Sequence, residues 1–169
     1  AHVSAVPNHQ LLRNTSLETR ANVAYFGTFG YELDPNRLTE EEKEEVKAQI
    51  AFMKQYRHLI QYGTFYRLLS PFEGNETVWM SVSEDKKTAL VFWYRERNVV
   101  NADFTRVCLE GLNPDFLYKN ELNGTENYGD ELMNLGLITT DSTAGEPTDE
   151  EELCSDYESR IYILKAETN

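Results

Sequence analysis

Hydrophobic and polar positions follow two different patterns along the chain, and the change falls close to residue 63. Before it, segments with period-two alternation are separated by segments with helical spacing. Residues 1–6 predict a short strand that runs into a loop, and residues 29–33 predict a second strand that ends at Asp34 and Pro35. Strand, helix, strand and helix in this order are typical of a βαβα unit with parallel strands.

Two helices are predicted in this first region. Thr15 and Glu18 have the spacing of a capping box, in which a hydroxyl and a carboxylate three residues later each accept a backbone N–H. Thr39 and Glu42 repeat that spacing at the start of a longer helix, for which Gly63 is the expected C′ residue. One apolar stripe should cover the buried face of this longer helix: Val46, Ile50, Met53 and Ile60.

Only strands are predicted after residue 63, at residues 64–69, 77–83, 88–97, 104–109, 116–119, 135–140 and 157–166. Short strands with turn residues between them indicate a sandwich of antiparallel sheets. The fold class is therefore α+β, with a βαβα part over residues 1–62 and an antiparallel β-sandwich over residues 63–169. Trp93 belongs to a strand that is expected to be buried on both faces. The sandwich interior is expected to contain Leu68, Val78, Met80, Val82, Leu90, Phe92, Val107, Leu109, Ile161 and Ile163.

Composition narrows the classes of function. The chain has 169 residues, of which 40% are hydrophobic, so it can bury a core of its own. Its formal net charge of −13 repels phosphate backbones, which argues against nucleic-acid binding and suits a neutral substrate or a protein partner. No apolar run approaches the length of a membrane span. Cys108 and Cys154 are compatible with one disulfide, but two free thiols in a cytosolic protein are the preferred interpretation.

Two pairs of side chains are candidates for chemistry. Glu32 and Asp34 lie two residues apart at the carboxyl end of the second predicted strand, where same-face neighbours are roughly 6.5–7 Å apart. A carboxylate pair at the rim of a barrel could serve glycoside hydrolysis, although Asp34 could equally begin a loop and Glu32 could be a structural partner. His2 and His9 could ligate a metal or contact a sugar. Because no Cys, Asp or Glu lies at ligand spacing beside these histidines, no metal site is expected.

Trp79 is a further candidate. It is the one large aromatic residue on a strand face that otherwise carries Thr77, Ser81 and Ser83. An exposed tryptophan with polar surroundings can stack on a sugar ring, whereas a support domain would bury it against neighbouring structure. The exposure of Trp79 therefore discriminates between a carbohydrate-binding module and a support domain.

Three segments of the first region carry a resemblance to a known family. They are His-Val-Ser-Ala-Val-Pro-Asn-His-Gln at residues 2–10, Arg-Ala-Asn-Val-Ala at residues 20–24 and Gly-Thr-Phe-Gly-Tyr-Glu-Leu-Asp at residues 27–34. Together they closely resemble the family 36 glycoside hydrolases, large bacterial α-galactosidases of the melibiase and raffinase type. The resemblance continues through the longer helix to residues 63–68 and returns at residues 129–133.

The resemblance implies that the two regions of the chain belong to different domains of the parent protein. In that family a (β/α)8 catalytic barrel precedes an antiparallel β domain, so residues 1–62 resemble the last two βα units of the barrel and residues 63–169 the C-terminal domain. The family's nucleophile and acid/base aspartates both precede the His-Val-Ser-Ala stretch, so no catalytic residue is expected in this chain, and no cofactor or metal. The implied parent is a cytoplasmic retaining enzyme that removes α-galactose from melibiose- or raffinose-type sugars.

The expected partners follow from the same resemblance. They are the α-galactoside, bound by the parent enzyme, and the protein's own upstream barrel. Because the chain starts at Ala1 inside an apolar stretch, we expect it to be the tail of a larger protein. A cut barrel would leave residues 1–35 with open edges, so these residues are expected to rearrange, to stay mobile or to pair with a second copy in a homo-oligomer. The alternative function is a non-catalytic β-sandwich carbohydrate-binding module.

Overall fold

The computed structural model of the protein describes residues 1–10, 12–99, 105–139 and 156–166. The chain divides into two compact units, Ala1–Tyr62 and Gly63–Asn169. The division falls where the hydrophobic pattern changes, between a long helix and the first strand of the larger sheet. Over the described ranges, no helix combines the length and the apolar character that crossing a membrane requires.

The first unit is a βαβα arrangement with parallel strands. It contains β1 (Val3–Ser4), α1 (Leu17–Ala24), β2 (Tyr31–Glu32), a 3-10 turn (Pro35–Arg37) and α2 (Glu40–Tyr62). β1 and β2 pair in parallel, with Val3 opposite Tyr31 and Ser4 opposite Glu32. The predicted order of elements is confirmed, although β2 is shorter than residues 29–33. In this structure residues 1–35 keep the parallel pairing and do not rearrange against the described strands of the second unit. The alternatives of mobility and of pairing with a second copy stay predictions.

Side-chain caps fix where both helices begin. At α1 the N-cap is Ser16, whose Oγ accepts the N–H of Thr19 at 3.1 Å, so the predicted cap at Thr15 is wrong by one residue. At α2 the predicted capping box is confirmed. Glu42 donates its N–H to Thr39 Oγ1 at 3.2 Å, and Thr39 donates its N–H to Glu42 Oε2 at 2.8 Å. Each helix therefore has partners for N–H groups that its first turn leaves without an intrahelical acceptor.

The buried face of α2 is centred on Gln49, Tyr56 and Leu59. Gly63 directly follows the helix, at the end where the sequence predicts it. The residues predicted to form the apolar stripe are half-buried and flank the central line: Val46, Ile50, Met53 and Ile60.

The second unit is built from antiparallel strands. Its described elements are β3 (Thr64–Leu69), β4 (Glu76–Val82), β5 (Thr88–Arg95), β6 (Arg106–Val107), β7 (Leu117–Asn120), β8 (Glu126–Tyr128), α3 (Gly129–Asn134), β9 (Leu137–Ile138) and β10 (Glu158–Ala166). Six strands form one sheet in the order β3-β4-β5-β10-β7-β8, and β6 pairs with β9 in a second sheet. The predicted fold class is confirmed, with one large and one small antiparallel sheet.

Strand β10 occupies the middle of the large sheet. It pairs with β5 from Glu158 opposite Arg95 to Lys165 opposite Thr88. On its other side it pairs with β7, through residues 164–166. The last of the described strands therefore joins two parts of the sheet that would otherwise be separate.

The main core of this unit involves one face of the large sheet, the small sheet and α3. The core residues are Val78, Met80, Val82, Ala89, Val91, Trp93, Val107, Leu109, Leu112, Tyr118, Leu132, Leu137, Tyr162 and Leu164. Trp93 is 1% exposed, and the expected burial of β5 on both faces is confirmed. Four residues predicted for this interior instead alternate with it and lie on the opposite face of the large sheet: Leu90, Phe92, Ile161 and Ile163.

Several predicted boundaries differ from the structure. β8 and α3, over residues 126–134, have no counterpart in the prediction. The strands predicted at residues 104–109 and 135–140 are reduced to β6 and β9. Residues 104 and 140, and most of the acidic segment at residues 146–156, lie outside the described residues.

Candidate functional site on the parallel strands

The β1–β2 pair has one face towards helices and one open face. Val3 is fully buried on the strand that packs beside α1, and Tyr31 donates its hydroxyl hydrogen to Gln49 Oε1 of α2 at 2.9 Å. Both side chains therefore point towards the helices. Because successive residues of a strand point to opposite faces, their neighbours point away from the helices. We call this second surface the open face; it carries His2, Ser4, Gly30 and Glu32.

The side chains of His2 and Glu32 contact each other on the open face. His2 Nε2 lies 2.6 Å from Glu32 Oε2, and the two side chains are 56% and 69% exposed. Spacing along the chain pairs Glu32 with Asp34 and His2 with His9, whereas the structure brings His2 and Glu32 together. The predicted parallel pairing of the two strands could have indicated this contact, because it makes the open-face residues of one strand neighbours of those on the other.

Asp34 acts as a cap. Its Oδ1 accepts the backbone N–H of Asn36 at 3.0 Å and the side-chain N–H of Asn36 at 2.9 Å, at the start of the 3-10 turn. These hydrogen bonds, the backbone one foremost, lower the pKa of Asp34 below its usual value. The interpretation of Asp34 as a loop start fits this geometry better than a catalytic pair with Glu32.

The loop after β1 surrounds a cavity of about 170 Å³. Arg20 of α1 anchors this loop, because its guanidinium donates to the backbone carbonyl oxygens of Ser4, Thr15 and Ser16. Burial lowers the pKa of Arg20 from its usual value. With these N–H groups directed at carbonyl oxygens, Arg20 is better suited to hold the loop than to bind an anion. The cavity is lined by Ser4, Val6, Asn8, Arg13, Thr15 and Arg20.

Aromatic rings pack together around Tyr31 on the helix side of the strand pair. The ring centroid of Tyr25 lies 4.9 Å from that of Phe29 and 4.7 Å from that of Phe52. The Tyr31 ring meets Phe29 edge-on at 5.3 Å. Burial raises the pKa of Tyr31 to about 12 and raises the pKa of Tyr25 in the same direction. The apolar packing of the first unit thus lies on this side, and the open face is polar.

The remaining sulfur and imidazole candidates form no centre in the structure. His9 is exposed in the loop after β1. Cys108 is an exposed free thiol, and Cys154 lies outside the described residues. In the part of the chain that the structure describes, no three His, Cys, Asp or Glu side chains are grouped to hold a metal ion.

Trp79 lies among other aromatic rings. It is half-buried on β4 and meets Phe65 of β3 edge-on at 6.3 Å and Tyr94 of β5 edge-on at 5.6 Å. Burial raises the pKa of Tyr94. The residues beside Trp79 on β4 are polar, but its neighbours on the adjacent strands β3 and β5 are aromatic. Trp79 lacks the polar surroundings expected of a sugar-binding platform.

A charged cluster closes one end of the sandwich core. Trp93 donates its Nε1–H to Glu76 Oε2 at 2.8 Å. The guanidinium carbons of Arg95 and Arg160 lie 5.4 Å and 5.6 Å from the Trp93 ring centroid, and both arginines pair with Glu158. No sequence spacing indicates this cluster, because its members come from the three strands β4, β5 and β10. Its balanced charges and buried tryptophan indicate a structural role.

Family models match both units. The model described as the glycosyl hydrolase family 36 C-terminal domain matches residues 76–164, and the melibiase model matches residues 1–63. The chain belongs to glycosyl hydrolase family 36. The resemblance of its N-terminal segments to that family is confirmed.

Relatives of this family 36 chain are much longer proteins. The α-galactosidase AgaA of Geobacillus stearothermophilus is 54% identical over 138 residues, which cover 81% of this chain and 19% of AgaA. A crystal structure of an AgaA variant in complex with raffinose aligns with a TM-score of 0.86 at 48% identity, over 98% of this chain and 21% of that one. The α-galactosidase structure from Lactobacillus brevis aligns over 100% of this chain and 22% of that one, with a TM-score of 0.91 at 42% identity. The chain thus spans about a fifth of the length of these relatives.

Proposed function

We propose that this chain is the part of a retaining α-galactosidase that completes the catalytic barrel and supports it with a β domain. The enzyme removes terminal α-galactose from raffinose- and melibiose-type oligosaccharides. Residues 1–62 supply the last two βα units of the barrel, and residues 63–169 supply the C-terminal antiparallel domain. The upstream barrel is the partner of this chain and carries the catalytic carboxylates, so the chain alone is inactive.

The observation that carries the proposal is the parallel β1–β2 pair with helices on one face only. In a (β/α)8 barrel every strand has helices outside and the barrel interior on its other face. The open face of His2, Ser4, Gly30 and Glu32 fits strands whose further neighbours belong to a longer protein. Similarity to AgaA over both units, at 48% identity, supports the same placement.

The substrate class is supported by the relatives and by charge. AgaA variants have been crystallised with raffinose and with stachyose, which are neutral oligosaccharides. A net charge of −13 suits neutral sugars better than phosphorylated ones. The exposed free thiol of Cys108 suits a reducing compartment, and we extend the proposal to a cytoplasmic location.

Activity of the isolated chain is the first test. The purified chain is expected to show no turnover of a nitrophenyl α-galactoside, because removing even one essential catalytic group removes most of an enzyme's rate enhancement. Turnover that disappears in Glu32→Gln would place a catalytic carboxylate in this chain and contradict the proposal.

A graft into AgaA is the second test. The stretch of AgaA that matches this chain is replaced by this chain, and the product is expected to hydrolyse raffinose. AgaA that lacks the stretch altogether is the control and is expected to be inactive. A graft that folds but leaves raffinose intact would contradict the proposed function.

A further inference from the structure

We infer that His2 and Glu32 form a sugar-binding pair in the wall of the active-site pocket of the complete barrel. His2 contacts a hydroxyl group of the galactosyl unit, and Glu32 holds the imidazole of His2 in place. This inference rests on the proposed function, because it needs the barrel that residues 1–62 complete. The proposed function gives this chain only a supporting role, whereas the inference has the chain contact the substrate directly.

The direction of both side chains follows from the strand register. Val3 and Tyr31 are opposite each other and point towards α1 and α2. Helices surround a barrel on the outside, so the opposite face of β1 and β2 looks into the barrel. His2 and Glu32 lie on that face, where their present exposure of 56% and 69% reflects strands without their further neighbours.

The composition of the open face indicates a pocket wall rather than packed core. Barrel interiors are filled mainly by bulky branched side chains such as Val, Ile and Leu. The inward positions are instead Ser4 and Glu32 within the strands, and His2 and Gly30 directly before them. His2 reaches the carboxyl end of β2 through its contact with Glu32. Ser4 and Glu32 are the last residues of their strands, and active sites of such barrels form at the carboxyl ends of the strands.

The chemistry of an imidazole–carboxylate pair suits a neutral sugar. Glu32 engages the Nε2 atom of His2 at 2.6 Å, which leaves Nδ1 for a second partner. Closing the barrel removes the water around both groups, and a buried ion pair is costly unless its remaining polar atoms are hydrogen-bonded. A sugar hydroxyl both donates and accepts a hydrogen bond, so it can satisfy Nδ1 in either protonation state of the ring.

The test uses single substitutions in the AgaA graft. His2→Ala is expected to raise the KM for raffinose roughly tenfold with a much smaller change in kcat, because one hydrogen bond to the bound sugar is lost. Glu32→Ala is expected to raise the KM by the same factor. The double variant is expected to have a KM no higher than that of either single variant, because the two residues act as one unit. Glu32→Gln keeps an oxygen acceptor for the imidazole and is expected to recover most of the affinity.

Ligand binding without turnover gives an independent readout. The inhibitor 1-deoxygalactonojirimycin has been crystallised with an AgaA variant, and its Kd for the graft can be measured by calorimetry. His2→Ala and Glu32→Ala should weaken its binding in parallel with the rise in KM. The matched control is Glu44→Ala, which breaks an exposed ion pair with Lys47 on α2 at 2.5 Å and should change neither KM nor Kd.

The outcomes separate the inference from the proposed function. An active graft whose KM and Kd are unchanged by His2→Ala overturns the inference and leaves the proposed function standing. Additive losses that follow an equal fall in Tm identify a merely structural pair and also overturn it. A folded graft that is inactive without any substitution overturns the proposed function instead. If the full graft does not fold, a graft of residues 1–62 carries the same substitutions.

Discussion

The two units bury apolar surface to very different degrees. In the second unit both sheets and α3 contribute to one core, in which Val78, Val91 and Leu164 are at most 1% exposed. In the first unit helices face only one side of a pair of two-residue strands, and the open face keeps His2 and Glu32 exposed. A segment can therefore have well-formed caps and helices without having a complete core.

Separating the units should give the largest effect. Residues 63–169 alone are expected to unfold cooperatively on heating, because their main core comes from strands within that range. Residues 1–62 alone are expected to retain helix but lose the β1–β2 pairing, because two short strands with open edges are marginal in water. NMR chemical-shift dispersion and circular dichroism measure both. A cooperative melt of residues 1–62 would show that both units fold independently and would contradict this prediction.

Deleting residues 157–169 is expected to unfold the second unit. The deletion removes the strand that joins β5 to β7, together with the buried side chains of Tyr162 and Leu164. We expect an insoluble product or one without a thermal transition. Deleting residues 1–10 is the control, and it should leave the melt of the second unit unchanged. A truncated protein that melts near the parent's temperature would show that β10 is peripheral.

A pair of substitutions on β10 tests which of its faces packs against the small sheet. Leu164→Ala should lower the free energy of unfolding by about 2–5 kcal/mol, because Leu164 is 1% exposed in the core between the sheets. Ile163→Ala removes the same number of carbon atoms from the opposite face, where the side chain is half-buried, and should cost less. Urea unfolding of both variants measures the difference. Equal losses would mean that the two faces are packed alike.

Tyr31→Phe is expected to give the smallest effect, and one that depends on pH. Burial raises the pKa of Tyr31 from 10.0 to about 12, so the folded protein holds this proton more tightly than the unfolded chain. The resulting stabilisation is fully present below about pH 10 and is lost as pH rises towards 12. Tyr31→Phe should reduce this fall in helix stability, and the remaining fall comes from Tyr25, whose pKa burial also raises. The melting midpoint of the 222 nm signal, followed from pH 9 to pH 12, measures the change.

The Tyr31 experiment has a baseline and a control. At neutral pH Tyr31→Phe loses the hydrogen bond to Gln49, which costs about 1 kcal/mol at every pH where the tyrosine is neutral. Tyr62→Phe is the control, because Tyr62 is 75% exposed and its replacement should leave the midpoint unchanged. The idea fails if Tyr31→Phe retains the alkaline fall of the parent chain.

Local contacts explain what the sequence predicts well. The capping box of Thr39 and Glu42 joins residues three apart, so its spacing alone locates the start of α2. The strands β3, β4, β5 and β10 are long and rich in β-branched and aromatic residues, and all four were predicted within two residues at each end. At α1 the adjacent hydroxyls of Thr15 and Ser16 compete for one role, which displaced the predicted cap by a single residue.

Long-range pairing explains what the sequence does not predict. β5 is apolar on both faces, so no alternation indicates whether Leu90 or Val91 faces the small sheet. β6 and β9 are each two residues long. Among the described strands, each of them pairs only with the other. The His2–Glu32 pair likewise depends on the register between β1 and β2. Spacing along the chain identifies the candidate residues in such cases, but the partner is set by tertiary structure.

The central position of β10 has a consequence for synthesis of the protein. Every strand that pairs with β10 leaves the ribosome before it does. At that stage β3, β4 and β5 can form a meander of neighbouring hairpins, but β5 presents an unpaired apolar edge, and the β7–β8 hairpin has no neighbour. Such edges are where nascent chains associate with one another. The sheet is therefore completed only when β10 has been made, and chains stalled before residue 158 are expected to aggregate more readily than chains that include it.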